Sequence, residues 1–169
     1  QVLVPALAAT PARLHTLVSA AGVSGVVSGA INAHKRPPAQ VEGHAGWPVD
    51  FGFVGDIDSV DTDVVRAQLE NGMVPIVSPL SADENGTVLN INADTVAAAL
   101  ATSLRASKLI LTMGAPGILE DRHNPSSLVS YLDLEDLQEL HTNGSLAEAM
   151  LPKARANEAI AQGVVAGVH

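Results

Sequence analysis

Cysteine is missing from the chain altogether, which excludes a disulfide framework and any thiolate metal site. That composition suits a reducing compartment, and the cytoplasm is the expected location. Positive charge is scarce: 9 Lys and Arg stand against 18 Asp and Glu, a net charge of −9. Such a chain repels nucleic acid and anionic membranes, so neither is an expected partner, and any bound phosphate must be held by local features. No uninterrupted apolar run reaches the roughly 20 residues that span a bilayer. The start, "QVLVPALAATPARLH", has no basic segment ahead of its apolar stretch, so no secretory leader is read there. The six histidines, at 15, 34, 44, 123, 141 and 169, show no ligand spacing, and no protein metal site is expected. No Gly-x-Gly-x-x-Gly follows a strand, which places a dinucleotide-binding oxidoreductase last among the readings.

What is present is an alternation of helix and strand signals over 169 residues, enough for one domain with a sizeable core. Thr10 as N-cap, Pro11 at the first helical position, apolar residues at 14, 17, 18 and 21, and Gly22 as a stop predict a helix. "VSGVVSGAINAHK" predicts a Gly-broken strand, "RPPAQVEGHAGWPVD" a loop or irregular hairpin, and "FGFVGDI" a short strand. "DTDVVRAQLENG" reads as a helix that stops at Gly72 and leads into the apolar strand "MVPIVSPL". Asn85-Gly86 is a favoured tight-turn pair and predicts a hairpin between 74–79 and 87–91. Residues 95–106 read as helix and 108–113 as a short strand. "LDLEDLQELHTNG" and "MLPKARANEAIAQG" read as two more helices, the second running into a strand, "VVAGV". The alternation predicts an α/β fold with a largely parallel sheet. Gln1 in place of an initiating Met, and the strand-like ending "GVVAGVH", lead to the expectation that neither end is a natural domain boundary.

The most informative stretch is "TVLNINADTVAAALATSLRA", residues 87–106. In strand geometry Leu89 and Ile91 point to one face and Asn90 and Asn92 to the other, and a helix begins at Asp94-Thr95. Two amides and a carboxylate thus converge at the C-terminal end of a strand. Open α/β sheets bind ligands there, and the adjoining helix N-terminus favours anions. Capping by Asp94 or Thr95 explains one of the four polar residues. Polar clusters at element ends are often sites, and this one is read as a site.

"LNINADTVAAALA" resembles the Asn-x-Asn-Ala-Asp-x-x-Ala signature of the acetylglutamate kinases, within the amino-acid kinase family. "FVGDI", "GMVPIVSPL", "KLILTMGAPGIL", "MLPK" and "GVVAGVH" stand in the order in which those enzymes present the corresponding segments, so the resemblance runs from about Leu14 to His169. It implies a three-layer α/β/α kinase fold, with residues 1–169 forming a partial domain that is mainly its nucleotide-binding portion. The implied activity is ATP-dependent phosphorylation of the side-chain carboxylate of N-acetyl-L-glutamate, or a close acyl amino acid, in arginine biosynthesis, with Mg2+ accompanying the nucleotide. By the same resemblance Asn90 would hold the acylated amino acid, and Asp94 would accept hydrogen bonds from active-site lysines and orient them. Lys153 would reach the transferring phosphoryl group as a point charge, although on composition alone it is an ordinary solvated lysine. Thr112, Gly117 and Met150 would line the nucleotide.

The resemblance has gaps. The family carries a Lys-x-Gly-Gly segment on its first strand, a second Gly-Gly segment and an arginine that grips the substrate carboxylate, and residues 1–169 contain none of them. The chain is therefore expected to lack the N-terminal half of the fold, to be inactive or nearly so on its own, and to work with that missing segment or as a homo-oligomer. Thr112 is followed by Met113 where the family has Asp, Ala149-Met150 replaces Gly-Met, and "VSGAINA" is shortened and lacks an acid. The alternative class is a non-catalytic nucleotide-binding or regulatory subunit of a larger assembly. Asp56 and Asp58 are read as a loop leading to an N-cap at Asp61 or Thr62, and Trp47 as local packing; neither is assigned chemistry.

Overall fold

The computed structural model describes residues 3–41 and 46–112, together with the single positions 124, 126, 127, 139 and 142. Two compact units divide the chain, Gln1–Val96 and Ala97–His169. In order the elements are α1 (Leu3–Ala20), β1 (Gly25–Ser28), β2 (Ile31–Lys35), β3 (Gly55–Val60), α2 (Thr62–Glu70), β4 (Val74–Val77), β5 (Leu80–Ala82), β6 (Val88–Asn90) and α3 (Ala93–Leu104). Among the described residues no helix is long and apolar enough to cross a membrane.

α1 begins well ahead of the predicted start, with Pro11 inside it. The Ala- and Leu-rich residues before Pro11 are strong helix formers and carry the helix across a position whose missing N–H costs a hydrogen bond. Its end is as predicted. Gly22 has φ 79°, its N–H bonds the carbonyl of Ser19, and the N–H of Val23 bonds that of Val18. This paired pattern satisfies carbonyls the helix leaves open, and it needs a residue without a Cβ penalty. α2 closes in the same way on Gly72, with Met73 bonded to the Gln68 carbonyl, and opens on Asp61, whose side chain accepts from the N–H of Val64 at 3.1 Å.

The strand pairing departs from the sequence reading in two places. "VSGVVSGAINAHK" is two strands, because the chain breaks at Gly29-Ala30 and each part takes a different partner. β1 pairs in parallel with β4, Gly25 opposite Val74 and Ser28 opposite Val77. β2 pairs antiparallel with β3, with a register shift between Asn32 and Ala33. The Asn85-Gly86 hairpin forms, but between β5 and β6, Leu80 opposite Asn90, rather than between 74–79 and 87–91. The apolar run "MVPIVSPL" holds the whole of β4 and the start of β5, split at Ser78-Pro79, and Pro79 has no N–H to give to a ladder. Ala39 and Val49 bridge antiparallel, as an irregular hairpin would. In the second unit, Glu139 and Thr142 are helical and Leu109 is in bridge geometry. The remaining elements read there lie outside the described residues.

The core of the first unit includes Ala30, Ile31, Ala33, Val65, Leu89, Ile91 and Val96. Leu89 is fully buried, at 0% exposure, and its Cβ lies 2.9 Å from the place a Cβ would occupy on Gly55. Only glycine lets β3 approach β6 so closely. The Ser81 hydroxyl donates to the Ile31 carbonyl at 2.6 Å and fixes β5 to β2.

Candidate active site

Asn90 is the last residue of β6. Its backbone N–H donates to the Phe53 carbonyl at 2.8 Å, and it bridges Val54 in parallel, so the end of β6 is held by the segment leading into β3. Leu89 and Ile91 are buried while Asn90 is half-buried and Asn92 exposed, the alternation that strand geometry requires. The Asn90 side-chain amide makes no hydrogen bond to another described residue.

The helix starts two residues earlier than the sequence reading placed it, at Ala93 rather than Thr95. Its cap is neither Asp94 nor Thr95. Asn92 Oδ1 accepts from the N–H of Thr95 at 3.0 Å and from its hydroxyl at 3.4 Å. The sequence signal was present, since Asn is among the best N-cap residues and its acceptor reaches the third helical residue. Asp94 is then the second residue of α3, half-buried in its first turn, where the positive end of the helix dipole stabilises a carboxylate.

Thr112 is exposed and belongs to the second unit. Gly117, Met150 and Lys153 lie outside the described residues. Asn90 and Asp94 are thus the two expected site residues that the structure brings onto one strand-to-helix junction.

Asp56 and Asp58 sit in β3, not in a loop; Asp58 has a partner in the facing strand β2, and Asp56 one at Arg36, just past its end. Arg36 grips Asp56 with both Nε (2.9 Å) and a terminal nitrogen (2.6 Å), and lies over the Phe51 ring at 5.5 Å from its centre. His34 Nδ1 lies 2.6 Å from an Asp58 oxygen, and Lys35 Nζ 3.2 Å from an Asp50 oxygen. The Asp56 carboxyl is held below the ordinary carboxylate range, first by the hydrogen bond from Arg36 and further by the charges of Arg36 and His34. Among the described residues no three His, Cys, Asp or Glu side chains converge as a metal site would require.

This α/β fold is that of the amino-acid kinases. Residues 7–168 match the amino acid kinase family, and the chain belongs to it. It is 47% identical over 155 residues to an acetylglutamate kinase of Myxococcus xanthus, a match covering 90% of this chain and 50% of that protein. With an acetylglutamate kinase of Methanopyrus kandleri it shares 42% identity over 139 residues, 82% of this chain and 55% of the other. The chain spans about half the length of the curated relatives it matches. Among solved structures, a Streptococcus mutans protein matches with a TM-score of 0.71 and 28% identity over 90% of this chain and 60% of that one. A Giardia carbamate kinase, at 17% identity and a TM-score of 0.65 over 89% of this chain and 57% of its own, shares the fold.

Proposed function

We propose that the chain is part of an acetylglutamate kinase and supplies mainly its ATP-binding portion. The reaction is transfer of the γ-phosphoryl group of ATP to the side-chain carboxylate of N-acetyl-L-glutamate, a cytoplasmic step of arginine biosynthesis. The observation that carries this reading is the junction of β6 and α3. Asn92 does the capping, so the cap does not depend on the amide of Asn90 or the carboxylate of Asp94, which stand beside it at a strand end. The identity of 47% and 42% to acetylglutamate kinases over about half their length supports it.

A carboxylate oxygen of the acceptor attacks the γ-phosphorus, the bond from that phosphorus to the bridging oxygen breaks, and ADP leaves with the electron pair, giving an acyl phosphate. Such transfer is catalysed by positioning and charge stabilisation more than by covalent chemistry. Asn90 offers both donor and acceptor to the acylated amino acid, which suits the amide and carboxylate groups of that substrate. Asp94 accepts from ammonium groups and holds them toward the transferring phosphoryl, Lys153 being the one assigned to touch it. Thr112, Gly117 and Met150 line the nucleotide. Magnesium, when bound with the nucleotide, would supply positive charge to offset that of the phosphates; it is assigned to the nucleotide rather than to a protein cage.

The test is a coupled assay of ADP release dependent on N-acetyl-L-glutamate, run on the full chain the gene encodes and on residues 1–169 alone. Turnover by the full chain and little or none by residues 1–169 is expected, since much of the electrostatic stabilisation of phosphoryl transfer is assigned to a first-strand lysine and glycines. A full chain that binds Mg-ATP yet releases no acetylglutamate-dependent ADP rejects the kinase in favour of a nucleotide-binding subunit.

A further inference from the structure

Two buried side-chain polar atoms of the described residues lack a hydrogen-bond partner: Oε1 of Gln68 and the hydroxyl of Ser28. Native interiors leave few such groups, and each calls for a physical reason. Gln68 lies within α2, but Ser28 is the last residue of β1, directly opposite Val77, the last residue of β4. The C-terminal ends of parallel strands are where ligands sit in open α/β sheets.

The local geometry narrows the role. A Cβ on Gly25 would meet Val18 at 3.2 Å and His15 at 3.6 Å, both in α1. Residues 25 and 27 therefore share the α1 face, and Ser28, with Val26, takes the opposite one. Ser28 is buried there, at 3% exposure. The next residue, Gly29, opens onto space, for a Cβ added to it would meet nothing within 4 Å. On the neighbouring strand end, the Ser78 hydroxyl already accepts from the N–H of Leu80 at 3.2 Å. A buried, unpartnered hydroxyl beside open space at a strand end is arranged for a partner that arrives from outside.

We infer that Ser28 is a substrate-positioning residue whose hydroxyl donates a hydrogen bond to a carboxylate or phosphoryl oxygen of a ligand bound at the ends of β1 and β4. This rests on the kinase reading above, which supplies substrates of both kinds. A charged acceptor makes the stronger hydrogen bond and offsets the cost of desolvating the hydroxyl, so the bond forms only when substrate is present.

The experiment is calorimetric titration of the full chain, unsubstituted and as Ser28→Ala, with Mg-ATP and N-acetyl-L-glutamate as separate probes, alongside melting of the ligand-free proteins. Ser28→Ala is expected to melt at or above the unsubstituted temperature, because it removes an unsatisfied buried group. It is expected to bind one probe at least about tenfold more weakly, the size of a lost hydrogen bond to a charged group, and the other within about twofold. The weakened probe identifies whether the acceptor is carboxylate or phosphoryl. Binding of both probes within about twofold of the unsubstituted chain overturns the inference and leaves the kinase reading standing. Equal weakening of both with a lowered melting temperature is a structural effect and also overturns it. An unsubstituted chain that binds neither probe overturns both readings.

Discussion

Replacing Asp94 by Asn removes one negative charge from the first turn of α3 at almost constant shape. The cap survives, since the bond from Thr95 N–H at 3.0 Å ends on Asn92. Through the helix dipole the fold loses the interaction of a carboxylate with the helix N-terminus, about 0.3–1 kcal/mol. In a chain of this size that lowers the melting temperature by roughly 1–4 °C, well inside a typical margin of about 5–15 kcal/mol. If the carboxylate orients ammonium groups beside the transferring phosphoryl, the same change lowers kcat at least tenfold, a barrier increase of about 1.4 kcal/mol or more. Asp61→Ala supplies the control. Asp61 caps α2 through Val64 at 3.1 Å, and its loss costs about 1 kcal/mol, so it matches the stability change while turnover stays near that of the unsubstituted chain. The assay pairs calorimetric melting with ADP release by the full-length variants. Turnover of Asp94→Asn within about twofold of the unsubstituted chain, or an equal loss in Asp61→Ala, would refute the reasoning.

Three further outcomes are expected. Gly55→Ala would put a Cβ 2.9 Å from the Cβ of Leu89 and 3.4 Å from the His34 carbonyl; an overpacking loss of about 1–3 kcal/mol should appear as a lower urea midpoint, and an unchanged midpoint counts against the close approach. Arg105 ends α3 at φ 54°, where a side chain is strained, so Arg105→Gly should raise stability by roughly 1 kcal/mol, seen as a higher melting temperature. The Asp56 carboxyl, lowered chiefly by Arg36, stabilises the fold above its unfolded value near 4 and loses that contribution as pH falls through its folded value. With side chains 42% and 36% exposed, the Arg36–Asp56 pair contributes at most about 1 kcal/mol. The stability gap between the unsubstituted chain and Asp56→Asn should therefore narrow from about pH 6 to about pH 3; a pH-independent gap refutes it.

Local chemistry was legible in the sequence, and pairing was not. α2 could be read from both ends because Asp61 and Gly72 are start and stop signals that act within one turn. The α/β class followed from alternation alone. β4 was assigned the wrong neighbour because Asn85-Gly86 specifies a turn without saying which residues of a long apolar run it closes. β4's actual partner, β1, is about fifty residues away and shares no local signal with it. Asp56 and Asp58 looked like loop residues because polar side chains two apart also suit a strand face, and the cross-strand Arg36 and His34 that favour them emerge only from the β2–β3 register. At the site, Asn90 and Asp94 were visible because a strand end and a helix start share one short stretch. The orphan hydroxyl of Ser28 was invisible, since burial without a partner is a property of packing rather than of residue order.

The polarity of "NINADT" resolves into distinct tasks. Thr95 gives its N–H and hydroxyl to Asn92, so two of the four polar residues are consumed in starting α3. Asp94 stands in the first turn of α3, at the positive end of the helix dipole. Asn90 stands one step before the buried Ile91, its backbone N–H given to Phe53 and its strand paired at Leu80. A turn and a cap require the first pair alone. The second pair sit where a strand's carboxyl end meets a helix dipole. A substrate with both amide and carboxylate groups would need a neutral donor and acceptor beside a fixed charge. Because capping is carried separately, Asn90 and Asp94 can be changed one at a time without unwinding the helix, which is what makes a functional claim about them open to direct measurement.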